Sequence, residues 1–266
     1  MSQSEPGSPA PSQPPAELSA AAYASLAADT ITRVAAAQAD AVTQAARLLA
    51  DSVEAGGVLQ AFGTGHSEAF AMEIAGRAGG LIPTNRLALR DAVAAAGVDT
   101  DPESAGRLER DPSLARHIYD LALDAQPQDV FLIASNSGGN GSIVEFARLV
   151  RERGHKLVAV TSMDHTTRVT SRHPSGLRLF EVADVVLDNG APYGDAVLPL
   201  PGGGSACGIS SITAALLAQM MVADTLALLL ERGITPPVYL SANIPGGDEH
   251  NDELEARYAG RLRRLL

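Results

Sequence analysis

The sequence predicts an α/β fold in which a parallel sheet is covered by helices on both faces. Two observations carry this. Short apolar runs alternate with helical patterns of ten or so residues, as in βαβ units. Several runs end in clusters of small polar residues and glycine, the place where such sheets bind ligands beside helix N-termini.

In chain order, residues 1–15 are rich in Pro, Ser and Gln and read as a disordered tail. Residues 16–55 are helical, with apolar residues at three- and four-residue spacing (Ile31, Val34, Val42, Leu48, Leu49) and no Gly or Pro before Gly56. "VLQAF", Val58–Phe62, reads as a buried strand, followed by "GTGHS" and a helix over "EAFAMEIAGRAGG" closed by glycines. Residues 84–112 mix charged and small residues and yield no element. A helix starts at Pro112 and runs to about Leu123; then come strand Val130–Ala134, helix Ser142–Arg153, strand Leu157–Thr161, an irregular stretch and strand Val185–Leu187. Ile209–Leu230 is long and apolar, but Ser210, Ser211, Thr213, Gln219 and Asp224 would be costly in lipid. It is expected to pack between the sheet and another subunit. A last helix begins near Asp252. Residues 56–233 thus form the ligand-binding domain and 234–266 a C-terminal loop and helix.

The formal net charge is -11, so the chain repels nucleic acid and anionic membrane surfaces, and an anionic ligand must be held by a local site. With Cys207 as the one cysteine, an intrachain disulfide is excluded, in keeping with a reducing, cytoplasmic setting. The first residues lack the basic and apolar regions of a signal peptide.

The segment "DVFLIASNSGGNGSIVEFARLV", Asp129–Val150, places Ser135-Asn136-Ser137-Gly138-Gly139-Asn140 between a buried strand and a helix. A phosphate monoester needs several donors converging on one small anion. Helix N-termini offer unpaired N–H groups and the positive end of a dipole. Glycines permit close approach, and Ser and Asn add neutral donors. One capping residue would satisfy a plain strand-to-helix turn; this run exceeds that need. "FGTGHSE" has the same layout but fails as a dinucleotide fingerprint, since Glu68 stands where the third glycine belongs and Arg86 where an acid is needed. Two Ser/Gly loops on one sheet edge suit a small phosphorylated molecule. No cofactor is expected, and the His and acidic residues show no metal-ligand spacing.

"GTGHS" together with "SNSGGN" resembles the paired loops of the sugar isomerase (SIS) domain family, whose second loop usually reads Ser-x-Ser-Gly-x-Thr; Asn140 stands here in place of the Thr. "AGRAGGL", "EVADVVLDNG" and "SANIPGGDEHND" are similar to a bacterial SIS subfamily of single-domain proteins. The resemblance implies a five-stranded doubly wound sheet of flavodoxin-like topology, a homodimer or higher homo-oligomer, and a sugar phosphate bound through Ser67, Ser135, Ser137 and Asn140; Gly65, His66, Asn136, Gly138 and Ser162, in the same strand-end loops, are expected to contribute to that site.

SIS enzymes commonly remove the proton beside a carbonyl of an open-chain sugar phosphate, a step that needs a base with a pKa near working pH. Candidates are Glu68, Glu73, Glu109, His66 and His250. Glu109, in "LERDPSL", is similar to the acid/base glutamate of the muramic acid 6-phosphate etherase branch, where Glu-x-Asp-Pro precedes a helix. The second glutamate of those enzymes falls on Arg77. Glu109 equally reads as an acid complementing a helix dipole. Glu73 reads as paired with Arg77 at i,i+4. Asn243 and His250 are expected to reach the partner subunit's site, or else to form an ordinary turn. In "TSMDHTTRVTSRHPSGLRLF", Thr161–Phe180, Arg172, His173 and Ser175 are expected to fold over the ligand as a lid, with Arg172 as a cationic clamp, or else to form dimer surface. The expected function is an enzyme acting on an amino-sugar 6-phosphate by proton abstraction at carbon 2, as a lyase or dehydratase. The rivals are an aldose–ketose isomerase and a non-catalytic phosphosugar sensor.

Overall fold

Residues that alternate along each strand divide the interior into two cores. The protein is described by a computed structural model over residues 18–98 and 105–263; the expected tail at residues 1–15 lies outside these. Strands β1 (Leu59–Gly63), β2 (Thr84–Ala88), β3 (Val130–Ala134), β4 (Lys156–Thr161) and β5 (Val185–Asp188) form a parallel five-stranded sheet in the order β2-β1-β3-β4-β5. Leu59, Ala61, Leu132, Ala134, Val158 and Val160 face one layer, made by α1 (Ala20–Ala37), α2 (Ala39–Glu54), α3 (Glu68–Ile74) and α9 (Ser210–Glu231). Phe62, Phe131, Ile133, Leu157 and Ala159 face the other, where α4 (Leu89–Ala95), α5 (Ala115–Asp120), α6 (Gly141–Glu152) and α8 (Leu179–Val182) pack. The period of two in a strand and the burial of both faces explain why the strands read as continuous apolar runs. Short helix α7 (Met163–Thr166), hairpin β6 (Ala196–Pro199)–β7 (Ser205–Gly208) and α10 (Gly247–Glu255) complete the order.

The predicted elements differ from this in specific ways. The helical stretch before Gly56 is two helices that meet at Gln38, whose side chain turns inward and accepts from the Asp188 amide at 2.9 Å. Strand β2 lies in the stretch that predicted nothing. Its second residue, Asn85, is fully buried, and it holds the C-terminal segment by donating to Arg261 O (2.8 Å) and accepting from Arg263 N (2.7 Å). A polar residue with that task conceals a strand. The helix predicted to reach Leu123 stops at Asp120, the β6–β7 hairpin is unanticipated, and α10 begins before Asp252. Helix α9 buries Thr213, Leu217, Met221, Thr225 and Leu229 within its own chain and leaves Ile212 and Leu230 exposed.

Asp129 joins the amino ends of β1 and β3. Buried, it accepts from Val58 N (2.8 Å) and Gln126 N (3.1 Å) and pairs with Arg261 of the C-terminal segment. Removing one partner of a buried pair leaves the other uncompensated. Asp129→Ala should therefore cost about 3–5 kcal/mol in chemical denaturation, and a loss below about 1 kcal/mol would show the network to be dispensable. His155 is buried beside Phe131 and shares a 2.8 Å hydrogen bond with Tyr119. Burial lowers its pKa, partly opposed by Asp129. Because the folded value lies below the unfolded one, the unfolded chain binds the extra proton; stability from His155 is complete above about pH 6.5 and falls away as pH drops below it. Denaturation midpoints of wild type should decline between pH 7 and pH 5 more steeply than those of His155→Phe.

Candidate functional site

The carboxyl ends of β1, β3, β4 and β5 bring together four short segments: 63–67, 135–140, 161–172 and 188–194. The first loop is fixed by close approach. A side chain at Gly63 would meet the Ser67 carbonyl oxygen at 2.2 Å, so the 3₁₀ turn Gly65–Ser67 closes directly over the strand end. Ser67 begins α3 without spending its hydroxyl on a cap.

The second loop is fastened from behind. Thr161 Oγ1 donates to the Ser135 carbonyl at 2.7 Å and to that of Asn136 at 3.2 Å. Thr166 Oγ1 donates to the Ser137 carbonyl (2.7 Å), Leu179 N to that of Gly138 (2.8 Å) and Arg172 N to that of Gly139 (2.8 Å). The planar trans peptide points C=O and N–H in opposite directions. Carbonyls taken up by the 161–179 wall therefore turn the following amides away from it. The Gly138 amide goes to Ser135 Oγ at 3.1 Å, while the amides of Gly139 and Asn140 have no partner among the described residues. Gly138, at φ 57°, thus supplies the bend and not a ligand donor. Asn140 stands at the N-cap of α6 without capping it; its Oδ1 accepts from Arg172 Nη1 at 3.3 Å. The first-turn amides of α6 remain uncapped by side chain.

Glu109 comes to this loop from far upstream. Ser142 Oγ donates to the Glu109 carbonyl at 2.7 Å, and Thr64 Oγ1 donates to its carboxylate at 3.1 Å. Gly141 is required here, because a Cβ would stand 2.1 Å from the Arg110 carbonyl oxygen. Asp111 accepts from Ser113 N at 2.8 Å and caps the Pro112 turn, which explains the Glu-x-Asp-Pro pattern as a helix start that sets the position of Glu109.

These segments enclose two spaces. A cleft of about 580 Å³ is lined by Glu109, Ser137, Gly139, Asn140, His165, Arg168, Arg172 and Tyr193, a size suited to a small ligand. A pocket of about 10 Å³, enough for a water, is lined by His66, Ser67, Ser135, Asn136, Asn189, Ser210 and Ser211. The two Ser loops therefore do not open onto one cavity: Ser137 and Asn140 face the cleft, Ser67 and Ser135 the narrow pocket. Asn136 is held by Asn189 Nδ2 at 2.6 Å. Gly65 and His66 are exposed at the rim.

Other expected residues are employed elsewhere. Ser162 is fully buried, donates to the Ala191 carbonyl at 2.7 Å and accepts from His165 N at 3.0 Å; as the cap of α7 it has no donor left for a ligand. The segment expected as a lid forms a wall of the cleft, bonded to the loop as above and to α6 through His173 Nε2 and Glu145 at 2.8 Å. Arg172 does line the cleft, next to Asn140. Glu73 pairs with Arg77 and accepts from Gln219 at 2.6 Å, and Glu68 pairs with Arg90 at 3.0 Å. Within one chain, His250 lies near the start of β2, at the end of the sheet opposite the loops, with Nε2 3.0 Å from the Val238 carbonyl, and Asn243 is exposed in the same C-terminal segment. Thr64, His165, Tyr193 and Asn189 escaped the sequence reading. Each lies just beyond a strand end, and attention to every position after a β-strand would have found Thr64 and Asn189. Among the described residues no group of three or more His, Cys, Asp or Glu side chains could hold a metal.

Comparison with known proteins agrees with this architecture. The model of the SIS domain matches residues 22–162. A UPF0309 protein of Listeria monocytogenes is 45% identical over 207 residues, covering 77% of this chain and 82% of that protein. One from Halalkalibacterium halodurans is 40% identical, covering 76% and 82%. Among solved structures, a phosphoheptose isomerase from Francisella tularensis aligns with a TM-score of 0.52 at 16% identity over 77% of this chain and 95% of that one. Phosphoheptose isomerase GmhA from Neisseria gonorrhoeae aligns at 0.50 and 20% over 78% and 96%; at such identities the likeness is one of fold. The chain belongs to the SIS-domain family and, by those relatives, to its UPF0309 proteins.

Proposed function

We propose that this protein binds a sugar phosphate in the Glu109 cleft and acts on it by removing the proton from carbon 2 of the open-chain form. The ester would be held by the Ser137 hydroxyl, the Gly139 and Asn140 amides and the Arg172 guanidinium. The observation that carries the reading is that Glu109 lines the same cleft as Ser137, Gly139 and Asn140, with Thr64 orienting its carboxylate. A base must stand within hydrogen-bond reach of the proton it takes, and among the described residues Glu109 is the one carboxylate in the cleft lining. The etherase-like context of Glu109 favours an amino-sugar 6-phosphate such as N-acetylglucosamine 6-phosphate, with loss of the carbon 3 substituent. An aldose–ketose isomerase needs the same first step and returns the proton to carbon 1; two neighbours of this fold are phosphoheptose isomerases. In a homodimer, exposed Leu240 and Ile244 would suit a contact that brings Asn243 and His250 towards the partner's cleft.

A thermal-shift screen over sugar phosphates tests binding; a ligand at a hundred times its Kd stabilises by about 2.7 kcal/mol. Replacing Ser137 with Ala should weaken the best ligand about tenfold or more, as expected for a hydrogen bond to a charged group. An unchanged Kd would remove Ser137 from the phosphate site. Glu109→Gln should leave Kd nearly unchanged and lower turnover by about 10²–10⁴. Product NMR separates an unsaturated lyase product from a ketose, and tight binding without any turnover would point to a sensor.

A further inference from the structure

His165 lines the Glu109 cleft from α7, and its ring is held in one orientation and one tautomer. The Gly194 amide donates to Nδ1 at 3.1 Å, and the Tyr193 ring lies 5.2 Å away between centroids. A main-chain N–H is always a donor, so Nδ1 accepts and carries no proton; the neutral ring then carries its proton on Nε2. That N–H has no partner among the described residues. The clamp is itself anchored. The Tyr193 amide donates to Asp164 Oδ2 at 2.8 Å, and Gly194 adopts φ 82°, a left-handed turn. Residues 164–165 and 193–194 thus grip each other across the cleft wall.

We propose that His165 is the electrophilic partner of Glu109, an inference resting on the reading of Glu109 as the base. Nε2–H donates a hydrogen bond to the carbon 1 carbonyl oxygen of the open-chain aldose phosphate. As Glu109 takes the carbon 2 proton, the C–H electron pair becomes the C1–C2 double bond and the carbonyl π pair moves onto oxygen. The histidine stabilises that oxyanion, and Glu109 is left protonated. A donor aligned beforehand by a backbone amide needs no reorganisation when the charge appears.

The test follows exchange of the carbon 2 hydrogen of N-acetylglucosamine 6-phosphate with D₂O by NMR in the full-length protein. His165→Ala should slow exchange by about 100-fold, and His165→Gln, which keeps an N–H donor, by less. Binding of glucitol 6-phosphate, which has no carbonyl, should change by less than about threefold in either variant, a split that loss of structure would not produce. Histidine ¹⁵N spectra of the wild type should show the Nε2–H tautomer for His165, with a signal that moves on adding the aldose phosphate and not glucitol 6-phosphate. Exchange undiminished in His165→Ala but lost in Glu109→Gln would overturn the histidine's role alone, as would an Nδ1–H tautomer. Wild-type protein that binds the aldose phosphate without exchanging its hydrogen would overturn the Glu109 reading and this role together.

Discussion

The orientation of the peptide planes between Ser135 and Asn140 is the constraint on which the site depends. A buried carbonyl without a partner costs about 1–3 kcal/mol, and this turn presents one after another. The hydroxyls of Thr161 and Thr166 and the amides of Arg172 and Leu179 take them up. With the oxygens committed to the wall, the amides of Gly139 and Asn140 can only face the other way. The wall and the loop therefore form one unit: residues 161–179 decide which side of the loop can receive an anion.

Charge follows the same logic on a longer scale. A chain of formal net charge -11 does not attract anions as a whole. Several of its arginines are tied to carboxylates, as Arg90 is to Glu68, Arg116 to Asp120 and Arg232 to Asp51 and Glu54. Arg168 pairs with Asp164 and lies over the Tyr193 ring, 5.7 Å from its centroid. Among the described residues, the Arg172 guanidinium reaches only a neutral amide oxygen, that of Asn140. Among the described residues, the cleft thus combines a cation held by a neutral group with main-chain donors and one oriented carboxylate, an arrangement that tolerates a doubly charged ester beside a base.

Strands β3, β4 and β5 and helix α6 were legible because each is an uninterrupted apolar run or a clear helical period bounded by Gly or small polar residues. Strand β2 was not, because Asn85 and Arg86 break the apolar pattern and Asn85 is buried for its hydrogen bonds to residues 261 and 263. The Ser-rich loops were legible as ligand loops by composition. Composition could not show that Ser162 spends its hydroxyl on Ala191, nor that Gly138 donates to Ser135. Those assignments belong to partners 29 residues and 3 residues away, and a serine looks the same in the sequence whichever it finds.

By itself the sequence determined the layered α/β plan, the position of the second loop at the end of β3 and the helix start that carries Glu109, since each follows from hydrophobic periodicity or from local capping chemistry. Only the tertiary structure decided that Glu109 lines the same cleft as Asn140, that the two Ser loops open onto separate spaces and that His165 is clamped by Gly194. The reason is the range of the forces involved. Turns, caps and periodicity act over a few residues, whereas a catalytic constellation is assembled by hydrogen bonds between segments tens of residues apart, whose pairing is set by how the strands stack in the sheet.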